Sequence, residues 1–289
     1  MSEAAYKEIV NIFNTIKKKN TSIKKKLNLH EPFFNYDETQ EIKNCLKSTF
    51  VSSSGSFINK FSNKIKNITK AKYVETLING TAAIHLSLIA LGLRKNQEVL
   101  MPTLNYIASA NATRYLDGIP HFIDSEEKTL GVDAKKLEFY LNKNTKIANN
   151  NCVNKKTGNI IKILIVTHVF GHPAEIDKLL KIARKFHIKV IEDASECLGS
   201  YYKKKHLGIY GDIGVLSFNG NKIITCGNGG AIITNNKKYF NKISHLSKIS
   251  KKKHPWNYDY NEVGYNYKLS NINAALGFAQ FKKLKKYII

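Results

Sequence analysis

Short apolar runs alternate with longer amphipathic stretches through most of this chain. Positions 73–77, 98–101, 120–124, 161–166, 190–192, 215–218 and 231–234 are short, mostly apolar and bounded by polar or glycine-containing turns. That pattern predicts strands buried on both faces. Helical spacing covers 37–48, 58–69, a stretch ending at 115, and 173–186, while 79–93 is apolar nearly all the way round, as a buried helix should be. Strands separated by helices predict an α/β architecture, with a largely parallel sheet covered on both faces. In such sheets ligands sit outside the carboxyl ends of the strands. The polar segment 149–159 reads as a surface excursion, and residues 1–29 as a lysine-rich helical lead-in with Ile9, Ile12, Phe13 and Ile16 on one face. No internal repeat or linker interrupts the remainder.

Composition narrows the function classes. The formal charge of +24 would ordinarily suggest a polyanionic partner. Only Arg94, Arg114 and Arg184 are arginines, however, and the lysine excess accompanies abundant Asn and Ile, a bias that A/T-rich codons also produce. The lysine runs at 17–19, 24–26, 203–205 and 251–253 are scattered and have no interleaved stacking aromatics. A solvated basic surface fits better than a nucleic-acid site. No apolar stretch approaches the ~18 residues of a membrane span. Cys45, Cys152, Cys197 and Cys226 lie far apart and form no CxxC pair, which points to reduced thiols and a cytoplasmic setting. His168 and His172 are four apart, but Gly171 and Pro173 beside them favour loop histidines over a helical zinc pair.

The candidate chemistry centres on the stretch SFNGNKIITCGNGG, residues 217–230. Lys222 stands between small polar residues and the apolar pair Ile223 and Ile224. A lysine that loses solvation there becomes an available amine, as Schiff-base chemistry requires, although a surface hairpin lysine fits the same stretch. Asn79, Gly80 and Thr81 introduce the apolar helix, and a buried helix start offers N–H groups and a positive dipole end to phosphate. An ordinary capped helix would use the same three residues. Tyr106 follows one strand and Asp193 ends another. A pyridine aldehyde with a phosphate tail would use all of these: helix start for phosphate, aromatic for the ring face, carboxylate for the ring nitrogen, amine for the aldehyde.

The motifs NGTAAIHLSL, PTLNYIASANA, VFGHPAEID, EDASECLGS, GDIGVLSFNGNK and GYNYKLSNINAALGFAQ occur in one order over about residues 28–288. In that set the chain resembles the DegT/DnrJ/EryC1/StrS family of pyridoxal-phosphate-dependent nucleotide-sugar aminotransferases. HEPFFN, STFVSSSGSF, HFIDSEEKTLGVD and SFNGNKIIT are most similar to its LegC-type branch. That branch aminates C4 of a UDP-linked 4-keto-6-deoxy-N-acetylhexosamine on the way to legionaminic-type acids. The resemblance implies the type I aminotransferase fold and L-glutamate as amino donor, with pyridoxal 5'-phosphate passing through its pyridoxamine form. It implies Lys222 as the aldehyde-binding lysine and proton carrier, and Asp193 on the ring nitrogen. Gly80, Thr81 and Ser217 would hold phosphate, Tyr106 would stack on the ring, and Asn219 and Glu196 would sit beside the cofactor. Asn266 would reach the phosphate of a neighbouring subunit, which implies a homodimer with shared sites.

This sequence departs from the family's pattern at three positions: Glu196 replaces a frequent His or Gln, Asn228 an acidic residue, and Lys268 an arginine. The family's dehydratase branch has histidine where this chain has Lys222. Family members also continue beyond the AALGFAQ helix, so the resemblance implies a lead-in over 1–29, a large cofactor domain over 30–250 and, over 251–289, the start of a shortened C-terminal, dimer-contact region. The alternative is an incomplete member that acts as a binding or assembly partner.

Overall fold

A computed structural model describes residues 30–252, 254 and 256–288, together with positions 3, 7, 8, 10–12, 14 and 15, which are helical. Most of the lead-in expected over 1–29, including Ile9, Phe13 and Ile16 and the lysine runs at 17–19 and 24–26, lies outside the described residues. The chain divides into two units, residues 1–31 and 32–289, and the sheet belongs to the second.

Helices α1 (Tyr36–Lys47) and α2 (Ser56–Thr69) lead into strand β1 (Tyr73–Leu77) and helix α3 (Gly80–Ala90). Strand β2 (Glu98–Pro102), helix α4 (Ala108–Arg114), β3 (Ile119–Ile123) and α5 (Ala134–Asn144) follow. Next come β4 (Thr145–Ala148), β5 (Asn151–Asn154), β6 (Ile160–Thr167), α6 (Ile176–Lys185) and β7 (Lys189–Asp193). A short ribbon of β8 (Tyr201–Tyr202) and β9 (Lys205–His206) precedes β10 (Ile213–Ser217) and β11 (Gly230–Thr234). Helices α7 (Lys237–Leu246), α8 (Asn271–Gln280) and α9 (Leu284–Ile288) complete the described elements.

The main sheet runs β1-β11-β10-β7-β6-β2-β3, parallel from β10 through β3, with β11 antiparallel to both its neighbours. Its two faces explain the apolar runs. Ile163, Ile165, Val215 and Ile232 point to one face, under Leu86 and Leu88 of α3 and Leu246 of α7. Leu164, Val166 and Val190 point to the other, under Leu137 of α5 and Leu179 of α6. Further along that second face Leu216, Ala231 and Ile233 pack with α2 and α8. A strand covered on both sides has no polar alternation to show, so it reads as a continuous apolar run. The α/β expectation holds.

Asn271, at the start of α8, is buried and caps α2: its Oδ1 accepts from the backbone N–H of Phe57 at 2.9 Å and of Ile58 at 3.3 Å, while its Nδ2 donates to the Phe50 carbonyl at 2.6 Å. Phe61 of α2 meets Phe218 and Phe281 edge-on, with ring centroids 4.9 and 5.6 Å away. Aromatic pairs of that geometry contribute about 0.5–1.5 kcal/mol each beyond their buried area.

Segment 149–159 is exposed at 149–150 and 155–158, as a surface excursion should be, but its middle is part of the sheet. It contains β5, which pairs with β4 and β6, and Cys152 and Asn154 within it are buried. What holds it is Glu98, wholly buried at the start of β2, which accepts from Thr157 Oγ1 at 2.6 Å and Asn154 Nδ2 at 3.0 Å and meets His121 Nδ1 at 2.6 Å. Burial alone would raise the Glu98 carboxyl, but the hydrogen bonds from Thr157, Asn154 and His121 outweigh it and hold the group below the usual carboxylate range. A carboxylate depressed in the folded state binds fewer protons there than in the unfolded chain, so its stabilisation is complete above the unfolded value of about 4.5 and disappears as pH falls through the lower folded value. Glu98→Gln is therefore expected to be less stable than the parent at pH 7. Melting temperatures from pH 7 to pH 3 should show that gap closing in the acid range, and a gap independent of pH would contradict the assignment.

Candidate functional site

The carboxyl ends of β2, β6, β7 and β10 share one edge of the sheet, where a cavity of about 550 Å³ opens. At one side α3 begins. Asn79 caps it by accepting from the Ala82 N–H at 2.7 Å, which leaves the backbone at Gly80 and Thr81 lining the cavity. A helix start presents N–H groups that its own turns do not satisfy, and its dipole favours an anion. Ser217, the last residue of β10, stands beside it: a Cβ at Gly80 would lie 3.6 Å from Ser217 Oγ and 3.5 Å from Ser195 Oγ. The close approach depends on Gly230, where a Cβ would fall 2.4 Å from the Asn79 carbonyl carbon and oxygen and 2.7 Å from Gly80 N. Any larger residue at 230 would force the helix start away from β11.

Asp193, at the end of β7, is only 7% exposed, and its Oδ1 accepts the Ser195 hydroxyl at 2.6 Å and the Ser195 N–H at 3.2 Å. Across β6 in register lies Thr167, whose buried hydroxyl has no hydrogen-bond partner among the described residues. Both line the cavity. Lys222 follows β10 in a turn closed by its N–H donating to the Asn219 carbonyl at 3.1 Å. Its side chain is 15% exposed, and Nζ lies 2.8 Å from Glu196 Oε1, on a carboxylate 37% exposed. The lysine is therefore partly desolvated, as the apolar pair beside it suggests, and an ion pair compensates it. Tyr106, 76% exposed, lines the cavity at its open side, as does the exposed Phe170, which holds a left-handed backbone with φ 51°.

Gly80, Thr81, Tyr106, Asp193, Glu196, Ser217, Asn219 and Lys222, named from sequence, all line this cavity. Asn266, expected at the site of a second copy, does not; it is exposed and forms an isolated antiparallel bridge with Lys248. Ser195, Thr167, Asn221 and Asn228 line it without having been singled out for it. His168 stands in the loop directly after β6, as expected of a loop histidine, but it is buried and lines the cavity. Its Nδ1 accepts the Ala174 N–H at 3.1 Å, so Nε2 carries the hydrogen and donates to Glu192 Oε2 at 3.0 Å. Burial pushes the thiols of Cys197 and Cys226 well up, so neither is a ready nucleophile next to Lys222. An anion cradle, a buried carboxylate and a paired amine facing one space form a site for a small molecule with an anionic tail and an electrophilic carbon.

Comparison with known proteins points the same way. The chain is 36% identical over 260 residues to a GDP-perosamine synthase of Escherichia coli O157:H7, covering 90% of this chain and 67% of that protein. It is 36% identical over 233 residues to a UDP-4-amino-4,6-dideoxy-N-acetyl-beta-L-altrosamine transaminase of Campylobacter jejuni, covering 80% of this chain and 58% of that protein. Among solved structures, NtdA from Bacillus subtilis with bound cofactor PMP superposes with a TM-score of 0.74 at 28% identity, covering 91% of this chain and 58% of that one. The chain thus spans about two thirds or less of the length of these relatives. The family profile for DegT/DnrJ/EryC1/StrS aminotransferases matches residues 34–289, and with the sequence identities above it places this chain in that family.

Proposed function

We propose that this chain carries the cofactor site of a pyridoxal-phosphate-dependent nucleotide-sugar aminotransferase that uses L-glutamate to aminate C4 of a nucleotide-linked 4-keto-6-deoxy sugar. The observation that carries this reading is Lys222, a partly buried amine in the same cavity as Asp193 and the start of α3. The residues fit the cofactor. The space between Gly80, Ser195 and Ser217 is one that a Cβ would begin to fill, with backbone N–H groups and hydroxyls around it, which suits a phosphate. The Asp193 carboxylate suits a protonated ring nitrogen, and Tyr106 offers a ring face at the mouth.

Bound pyridoxal phosphate supplies the electron sink on which an amino group is exchanged. The chain supplies the rest. Lys222 provides the amine that holds the aldehyde carbon and afterwards moves a proton at the substrate carbon. Asp193, fixed by Ser195, keeps the ring nitrogen protonated. Thr167 offers a buried hydroxyl to the same side of the cavity. Amination at C4 is supported by the Campylobacter jejuni relative, whose name specifies a 4-amino-4,6-dideoxy sugar. The LegC-type motifs support a UDP-linked N-acetylhexosamine and a legionaminic-type pathway. Residues 251–289 would begin the dimer-contact region, with Asn266 reaching the phosphate of a second copy.

The test is a visible absorption spectrum of the purified chain with added pyridoxal phosphate, before and after L-glutamate. A cofactor band that glutamate bleaches is the expected result. A folded chain that develops no band would overturn the reading.

A further inference from the structure

Thr167 ends β6 with a hydroxyl that is buried from water and has no hydrogen-bond partner among the described residues. A buried hydroxyl left unpaired weakens a fold, and native structures pair nearly all of them. Ser109, Ser125 and Ser250 also bury unpaired hydroxyls, but of these four residues Thr167 is the one that lines the cavity. We infer that Thr167 is a positioning residue whose hydroxyl donates to the cofactor ring, at the oxygen the ring carries on the edge away from its phosphate arm. The inference rests on the reading of the cavity as a pyridoxal phosphate site.

The order of the strands lays out the site. β10, β7 and β6 are neighbours in the sheet, and their last residues are Ser217, Asp193 and Thr167. Adjacent strands lie about 4.8 Å apart, so Thr167 stands on the order of 10 Å from Ser217, with Asp193 on the strand between them. A phosphate held by Gly80 and Ser217 therefore does not reach Thr167, whereas a ring that extends from that phosphate to Asp193 brings its far edge there. In pyridoxal phosphate the phosphate arm lies across the ring from a methyl group, which is flanked by the ring nitrogen and by a carbon bearing oxygen. With the nitrogen facing Asp193, that oxygen is the acceptor left on the far edge. The strand end is also well anchored. The His168 N–H donates to the Asp193 carbonyl at 3.2 Å, and the His168 ring is fixed between Ala174 and Glu192. Thr167 itself is half-buried, and turning its hydroxyl to another staggered position breaks no hydrogen bond.

The experiment compares the full chain with Thr167→Val, which exchanges the hydroxyl for a methyl of similar size, and Thr167→Ser, which keeps the hydroxyl. Equilibrium dialysis measures binding of pyridoxamine phosphate, a form that makes no covalent bond with Lys222 and so reports contacts alone. Thr167→Val should bind it roughly fivefold more weakly, the worth of one hydrogen bond, and Thr167→Ser should stay within about twofold of the parent. Inorganic phosphate, used to displace it, should show the same inhibition constant in all three proteins, because it fills the cradle at Gly80 and Ser217 and leaves Thr167 untouched. Without either ligand, Thr167→Val should melt about 2–4 °C above the parent, since a buried unpaired hydroxyl has gone. A threonine that serves the fold alone would not move stability and affinity in opposite directions. Equal affinity of the parent and Thr167→Val for pyridoxamine phosphate, a weakening that extends to inorganic phosphate, or a lower melting temperature for Thr167→Val would each overturn the inference. A parent that binds no pyridoxamine phosphate overturns the functional reading and this inference with it, whereas a parent and variant that bind it equally defeat the inference alone.

Discussion

Lys222→Ala is expected to lose the visible cofactor band and at least about a thousandfold of amino-transfer rate, while the fold survives. The rate follows from the two tasks assigned to one amine: it is both the group that takes the aldehyde and the carrier of the proton, and positioned acid–base groups alone contribute about 10²–10⁴-fold. Survival of the fold follows from what the side chain touches. Its polar contact is the Glu196 pair at 2.8 Å, and Glu196, 37% exposed, can rehydrate when the ammonium is gone. Pairs so open to water contribute about 0–1 kcal/mol, so the melting temperature should scarcely move. The proposed phosphate cradle at Gly80, Thr81 and Ser217 is untouched by the change, and equilibrium dialysis should still find pyridoxal phosphate bound. A variant that forms the parent's band would mean that another amine does this work.

The parts of the site that were legible in the sequence share a property. Lys222, Asp193, Gly80 and Ser217 are chemically distinctive residues at the ends of apolar runs, and the sheet topology alone brings such ends together. Thr167 shares that position at the end of an apolar run, but neither its hydroxyl nor that of Ser195 carried a signal of its own. A small hydroxyl becomes informative only when its neighbour is known, and the neighbour of both is Asp193, reached by Thr167 across a strand pair rather than along the chain. The loop position of His168 was legible, but its burial was not, for a related reason. Gly171 and Pro173 mark a loop correctly, but the ring turns inward to Glu192, and the available cue was that carboxylate directly after the apolar pair Val190 and Ile191 in β7.

The fold shows the same division. The doubly covered strands were legible because burial on both faces leaves only apolar residues. Helix α5 was hard to read, since it buries only Ala134, Leu137 and Leu141 and the exposed Phe139 beside them blurs the apolar stripe. Strand β5 was hidden by its composition, Asn151–Asn154. Its burial depends on Glu98, a residue more than fifty positions earlier that accepts from Asn154 at 3.0 Å. Local hydrophobic pattern cannot report a polar segment whose hydrogen bonds are satisfied by a distant buried carboxylate.

Glu192→Gln should cause the opposite outcome to Lys222→Ala, a loss of stability with the proposed cofactor residues themselves unchanged. Glu192 is fully buried one residue before Asp193. Its Oε1 accepts the N–H groups of Tyr210 and Gly211, each at 2.6 Å, and its Oε2 accepts the Gly208 N–H at 2.9 Å and His168 Nε2 at 3.0 Å. All these partners are donors. A glutamine amide presents one oxygen and one NH₂, so either orientation turns a donor toward two donors. His168 cannot adapt by moving its hydrogen, because Nδ1 already accepts from Ala174. Replacing a buried ionic group is often harmless when its partners can be replaced with it, but three of these partners are backbone N–H groups and remain whatever stands at 192. With each unsatisfied buried group costing about 1–3 kcal/mol, two such groups and the amide itself should cost roughly 3–9 kcal/mol. For a chain near this size that lowers the melting temperature by about 10 °C or more. The same bonds position β7 against β6, where the His168 N–H donates to the Asp193 carbonyl at 3.2 Å, so pyridoxal phosphate should also be retained less well below the melting range. Thermal unfolding followed by circular dichroism decides it: a variant melting within about 3 °C of the parent, a loss of no more than ~1–1.5 kcal/mol, would show that the buried carboxylate is not what fastens this end of the sheet.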